Sequence, residues 1–436
     1  MMTALLLAAT LFASQGPAPS AEAGDSLALD LSGWVSLALE ESPDIVSSRA
    51  YVDIAEAGVL GSRAFLWPSL SLSAAAGHTW SGGGAMAGGL EDDYASYSYS
   101  MTASQEILGN GGASWLELSA SRHSLTAARA DHREQVLAKV MEVLTAYYTV
   151  MESRGLLESA RRAHRRSAEQ LARTEALYDV GGATSLELTQ AQVGESRDRL
   201  TVTQRRQALT AAYYDLYEAA GLEPDGRYAA NPDAVLQPLT VAEAEQLALD
   251  WSNNPGLVSA EMSVRESSAS LSASRRRYWP TLSASGSWSW SDDEADLGDI
   301  ADHDSWNVSL NLSWPIFDGW LRESSIQTAR GQYLRSMAAL EGTRRSLATG
   351  TASARDQLLA SVESYRIAGM ARDHAARQLD LSSRSYAMGS LSLLDLLDAQ
   401  RELAEAEASV VSARRECLVQ EARLLVLLGQ TPRLGE

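Results

Sequence analysis

Cysteine is almost missing from this chain. Cys417 is the only one in 436 residues, which excludes an internal disulfide and any metal site built from several thiolates. Phenylalanine is scarce too, with three residues against eleven Trp and fifteen Tyr. The aromatic content is therefore of the amphipathic kind that suits a membrane–water boundary. Cations are outnumbered, 36 Lys and Arg against 56 Asp and Glu, for a net charge of −20. That balance argues against binding nucleic acid or anionic lipid, both of which need clustered positive charge. Beyond the N-terminus there is no run of about 18 apolar residues, so no transmembrane helix is expected. The six His show no His-Glu-x-x-His spacing, and no Gly-x-Ser-x-Gly occurs. Gly82-Gly83-Gly84 and Gly88-Gly89 are not followed by Gly-Lys-Ser/Thr, so they read as an exposed loop and not a phosphate cradle. No enzyme, cofactor or metal is expected.

What is present points to export. Ala4 to Ala13 is a short apolar run, and Ala21-Glu22-Ala23 is a small-residue cleavage site. Residues 1–23 read as a secretory signal, although its first residues lack Lys and Arg. An exported chain without a spanning helix crosses a bilayer only as part of a β-barrel.

The remainder is written twice. Leu37-Ala38-Leu39 ahead of Pro43 matches Leu247-Ala248-Leu249 ahead of Pro255, and Trp67-Pro68-Ser69-Leu70 matches Trp279-Pro280-Thr281-Leu282. Tyr178-Asp179-Val180-Gly181 matches Tyr386-Ala387-Met388-Gly389, Ala191-Gln192 matches Ala399-Gln400, and Gly221-x-x-Pro224 matches Gly429-x-x-Pro432. The offset stays near 210 residues. Residues 24–221 form one repeat, 222–238 a linker rich in Pro and Asp, 239–430 the second repeat and 431–436 a tail. Each repeat reads as a helix, two strands, a very long helix and a shorter helix. In the first repeat these are a helix from Ser32 to Phe65, strands Pro68–Trp80 and Tyr94–Gln105, and a helix from about Ala113 to Tyr178. Trp320 to Tyr386 is the second long helix, and lengths of this kind suggest coiled coil. In the last helix Leu396, Leu403, Val410, Cys417 and Leu424 are seven apart, with Ala399, Ala406, Ala413, Gln420 and Leu427 as the partner row. Cys417 thus reads as a small core hydrophobe. The first repeat puts Glu195 and Arg205 on the same seam.

The strands have two unlike faces. In Trp279–Ser291, Leu282, Ala284, Gly286, Trp288 and Trp290 alternate with Thr and Ser. In Ser305–Trp314, Trp306, Val308, Leu310, Leu312 and Trp314 alternate with Ser and Asn. Tyr97, Tyr99, Met101, Leu70 and Leu72 continue the pattern. Each strand is about ten residues long, enough to cross a bilayer when tilted. The apolar face would meet lipid and the Ser/Asn face a watery lumen, with Trp80, Trp279, Trp288, Trp290, Trp306 and Trp314 as the aromatic girdle. A soluble sandwich would prefer Val, Ile and Phe. Four strands cannot close, and an open edge in lipid costs several kcal/mol for each unpaired backbone group. The barrel must be shared between chains.

Taken in order and twice over, these motifs, with Trp314-Pro-Ile-Phe-Asp-Gly319 and Leu394-Asp-Leu-Leu-Asp-Ala-Gln400, resemble the TolC-type outer-membrane efflux protein family across nearly the whole mature chain. The resemblance implies a homotrimer in the cell outer membrane, with a shared twelve-stranded transmembrane β-barrel continued by a long α-helical coiled-coil periplasmic tunnel. It implies a passive, gated exit duct for a tripartite efflux pump or type I secretion system, working with a periplasmic adaptor and an inner-membrane transporter. It also places Asp395 and Asp398, three apart on one helical face, at a closed periplasmic gate, with Glu187 and Gln190 at the matching places in the first repeat. A ring of such carboxylates would set the electrostatics of the pore. Gly181 and Gly182, with Gly389 and Ser390, form the helix turns, to which the resemblance adds contact with the adaptor. The alternative is a coiled-coil scaffold without a pore. Asp292 to Asp304 lacks the calcium-loop pattern and reads as an acidic external loop. Arg275-Arg276-Arg277 reads as a headgroup anchor or a helix-end cap.

Overall fold

The computed structural model describes residues 27–80, 93–231, 237–247, 250–292 and 304–434. The secretory segment, the glycine-rich loop and acidic residues 293–303 lie outside the described residues, as do Ala248 and Leu249 of the duplicated motif. The first repeat runs β1 (Leu27–Leu29), α1 (Leu31–Glu41), α2 (Pro43–Ser62), β2 (Ser69–Trp80), β3 (Asp93–Leu108), α3 (Ala113–Asp179) and α4 (Ser185–Ala220). Then come β4 (Tyr228–Ala230), α5 (Val241–Glu245), α6 (Pro255–Arg276), β5 (Thr281–Asp292), β6 (Asp304–Ser313), α7 (Leu321–Ala387) and α8 (Leu393–Leu427). At 67 residues each, α3 and α7 extend about 100 Å. Among the described residues no helix is long and apolar enough to cross a membrane.

The expected helix from Ser32 to Phe65 is broken. Pro43 disfavours helical backbone at the residue before it, and Ser42 is extended at φ −66° and ψ 125°. α2 therefore starts afresh with Pro43 at its first position and ends at Ser62, ahead of a single 3₁₀ turn at Ala64–Leu66. The second repeat makes the same break. Asn254 is extended before Pro255, and its Oδ1 accepts the Leu257 N–H at 3.1 Å.

The four long strands form one antiparallel sheet in the order β2-β3-β5-β6. Its register lines up side chains of one kind across all four strands. Ser73, Ser100, Ser289 and Ser305 make one row, and Ser71, Thr102, Ser287 and Asn307 the next. Hydroxyl pairs stitch neighbouring strands at 2.7 Å (Ser73–Ser100) and 2.8 Å (Ser289–Ser305). The opposite face carries the row Leu72, Met101, Trp288 and Trp306. β3 runs three residues beyond the expected Gln105, through a register shift between Glu106 and Leu108.

The stretch read as a linker holds β4, which pairs in parallel with β1. This small sheet closes the main core at the middle of the molecule. Trp34 is fully buried, edge-on to Tyr217 at 5.4 Å and to Tyr228 at 6.0 Å. The Tyr217 hydroxyl donates to the Tyr228 carbonyl at 2.8 Å and accepts the Tyr228 N–H at 2.9 Å. The Tyr147 hydroxyl donates to the Asn231 carbonyl at 3.0 Å. Both tyrosine hydroxyls thus find backbone partners, while the Trp34 indole N–H is buried without an acceptor among the described residues.

Candidate functional site

Both long helices end in the same turn. Gly181 and Gly389 have φ of 78° and 73°, the left-handed backbone that glycine adopts without steric cost. The Gly182 N–H reaches back to the Leu177 carbonyl at 2.7 Å and the Ser390 N–H to the Ser385 carbonyl at 3.0 Å, which satisfies carbonyls that a helix end leaves free. Around these turns large apolar side chains stand in solvent. Val180 is 79% exposed and Met388 76%, with Leu186 and Leu394 beside them.

The candidate gate residues separate into two roles. Glu187 is the third residue of α4 and closes a capping box: its carboxylate accepts the Thr184 N–H at 2.7 Å and the Thr184 hydroxyl at 2.9 Å. Those hydrogen bonds hold the Glu187 carboxyl below the usual carboxylate range. Asp395 occupies the matching place on α8, accepting the Ser392 hydroxyl at 2.7 Å while its N–H donates to that hydroxyl at 3.3 Å. Gln190 and Asp398 lie one turn further on and line the same cleft between α4 and α8. Asp398 pairs with Arg401 at 3.1 Å, so its charge has a counter-ion on its own helix.

Ties between the two hairpins were not visible in the sequence. Glu407 of α8 accepts from the Ser159 hydroxyl at 2.8 Å and from Arg162 Nη2 at 3.0 Å, both on α3. Glu152 of α3 accepts from the Ser412 hydroxyl at 2.6 Å and pairs with Arg415 Nε at 3.3 Å. The partners are some 250 residues apart, and periodicity carries no signal for such a pairing.

At the sheet, the apolar face is open. Trp306 is 75% exposed, with Val308, Leu310, Leu312, Trp279 and Trp314 also exposed. The Trp314 indole N–H donates to the Tyr278 carbonyl at 3.1 Å and that of Trp288 to Asp304 at 3.1 Å. Trp80 ends β2. Trp290 departs from the expected exposed girdle: it is 1% exposed, its ring 5.4 Å from that of Tyr99. Trp290 is paired with Tyr99 of β3 on the same face, whereas Trp288, two residues earlier on that face, is only half-buried. Arg276 of the basic triplet donates to the Gly111 carbonyl at 2.9 Å and so fastens the end of α6 to the turn after β3. Among the described residues no cluster of His, Cys, Asp and Glu could hold a metal ion.

A family model described as "Outer membrane efflux protein" matches residues 34–222 and 247–430. The chain is 23% identical to outer membrane protein TolC of Vibrio cholerae over 402 residues, covering 90% of this chain and 89% of that one. Among solved structures, the outer membrane protein VceC of Vibrio cholerae superposes with a TM-score of 0.81 at 16% identity, over 92% of this chain and 97% of that one. The CmeC outer membrane channel of Campylobacter jejuni gives 0.82 at 16% identity, over 93% and 87%.

Proposed function

The chain belongs to the outer membrane efflux protein family, and from that premise we propose how it serves as an outer-membrane exit duct for efflux or secretion. Three copies join their four-stranded sheets edge to edge, β6 of one to β2 of the next, into a twelve-stranded barrel. This pairing satisfies the backbone groups that both sheet edges expose, which lipid cannot do. The long helices continue the barrel as a periplasmic tunnel. The observation that carries this reading is the register of the sheet. Rows of Ser, Thr and Asn cross all four strands on one face, and apolar rows such as Leu72, Met101, Trp288 and Trp306 cross them on the other.

In this reading the hairpin ends form the periplasmic mouth. Asp398 and Gln190 face the constriction, while Asp395 and Glu187 fix the helix starts that place them. The turns at Gly181, Gly182, Gly389 and Ser390, with the apolar residues beside them, contact a periplasmic adaptor that couples the duct to an inner-membrane transporter. The aromatic residues of the open sheet face sit at the bilayer boundaries. The duct works by opening and closing, and cargo choice lies with the transporter.

Planar-bilayer recording of the purified protein tests this reading. The protein should form discrete channels, and Asp395→Ala combined with Asp398→Ala should raise resting conductance or shift cation selectivity. Protein that forms no channels would overturn the duct. Variant channels matching the parent in both properties would remove these carboxylates from the gate.

A further inference from the structure

The two hairpins part on one side. α3 packs along both α4 and α8, but α4 and α8 scarcely touch, and between them opens a cleft of about 510 Å3. Its floor is apolar, made by Leu156 of α3, Val193 of α4 and Leu397 of α8. Its rim carries four guanidinium groups: Arg166 from α3, Arg197 and Arg205 from α4, and Arg401 from α8. Three carboxylates share that rim. Arg401 engages two of them, Asp398 at 3.1 Å and Glu405 at 3.7 Å. The third, Asp198, shares α4 with Arg197 and Arg205.

Arg166 is the least provided for. Its Nε and Nη2 are buried without an acceptor among the described residues. The nearest carboxylate, Glu407, stands 3.8 Å from Nη1 and is already engaged by Ser159 and Arg162. Buried donors without an acceptor are costly, and an oxyanion offers paired acceptors in the geometry a guanidinium fits. An apolar floor with a few convergent polar groups, in a volume of this size, is the usual make-up of a small-molecule site.

We propose that this cleft binds an amphipathic organic anion, its carboxylate, sulfonate or phosphate head at the arginine rim and its apolar body on the Leu156–Val193–Leu397 floor. An exported solute and a fatty acid released from the envelope share this chemistry. The cleft shares Gln190 and Asp398 with the proposed gate, so its place in the duct rests on that reading, but binding is measured without conductance and the two fail separately.

The full-length protein in lipid nanodiscs is titrated by calorimetry with naphthalene-2-carboxylate, with its neutral carboxamide and with dodecanoate. The carboxylate should bind about tenfold or more tighter than the carboxamide. Arg166→Gln with Arg197→Gln should abolish that preference, and Val193→Phe, which fills the floor from an exposed position, should block both naphthalene probes. Tighter binding of dodecanoate than of naphthalene-2-carboxylate assigns the site to lipid-derived chains, and the reverse order to compact solutes. Equal affinity for carboxylate and carboxamide, or undiminished carboxylate binding by the double arginine variant, would overturn the proposal.

Discussion

The two repeats have the same order of elements, and α4 packs along α3 as closely as α8 packs along α7, but α8 is flanked by α3 as well and is the better buried of the two short helices. Along α8 buried side chains recur from Leu393 through Leu396, Ala399 and Leu403 to the run Cys417–Leu425. Along α4 Ala191 is buried near the start, and the next buried residue is Ala212. α3 covers part of α8, a second long neighbour that α4 lacks among the described residues, and the seam chemistry adds to the difference. Where α8 has Leu403, α4 has Glu195, half-buried and 3.0 Å from His164 of α3. A partly solvated polar contact of this kind contributes roughly 1 kcal/mol or less, below a buried leucine. Duplication set the course of both hairpins, and the side of α4 that no second long helix covers carries the more polar seam. The open cleft lies on that uncovered side, against α4.

The contrast predicts its own largest effect. Leu403→Ala should destabilise the helical part by about 2–5 kcal/mol, through lost burial and a cavity. Val193→Ala on α4 should stay within about 0.5 kcal/mol, as expected at an exposed position. Urea unfolding of the detergent-solubilised protein, followed by helical circular dichroism, measures both. Similar losses in the two variants would mean that the hairpins are held alike, and the distinction between repeats would fail.

Next in size come the ties between hairpins. Glu407→Ala removes the acceptor for Ser159 and Arg162 and leaves two α3 arginines without a counter-ion. Hydrogen bonds to charged groups contribute about 1.5–3 kcal/mol; partial exposure of Arg162 lowers the expected loss to roughly 1–2 kcal/mol. The variant should also raise resting conductance, because α8 is then freer to leave α3. A loss of stability without any conductance change would make this tie a matter of stability only.

The strands and long helices were legible because each carries its signal locally. Alternating Ser and Trp marks a two-faced strand, and a proline-free run of Ala, Arg, Glu and Leu marks a long helix. Pro43 also carried a local signal, and the break at Ser42 is the ordinary effect of proline on the residue before it. β4 was hidden for another reason. Three residues, Tyr228–Ala230, are too short for any periodicity, and their pairing with β1 joins segments about 200 residues apart. The buried place of Trp290 depends on which strand lies beside β5, which alternation along β5 alone does not encode. Of the candidate gate, Asp395 and Asp398 were visible as a pair on one face. Their division into cap and cleft was readable in both repeats, where Thr184-x-x-Glu187 and Ser392-x-x-Asp395 spell a capping-box pattern.

The smallest expected effect lies in the caps and compares the repeats once more. Glu187 accepts from both the backbone N–H and the hydroxyl of Thr184, whereas Asp395 accepts from the Ser392 hydroxyl alone. Glu187→Ala should therefore cost more than Asp395→Ala, at about 0.5 kcal/mol given how exposed the cap is. The Glu187 contribution carries a pH signature. Its carboxyl is held below the usual range in the folded chain by Thr184, so the stabilisation is complete above the ordinary carboxylate range and is lost as pH falls through the depressed folded value. Hydrogen exchange of the first-turn amides of α4 and α8, measured between neutral pH and pH 3, reads this directly. With exchange corrected for its intrinsic pH dependence, α4 protection should fall on acidification and Glu187→Ala should remove that fall. Acid-insensitive protection in α4 would mean that Thr184 alone caps the helix and that the two repeats begin their short helices in the same way.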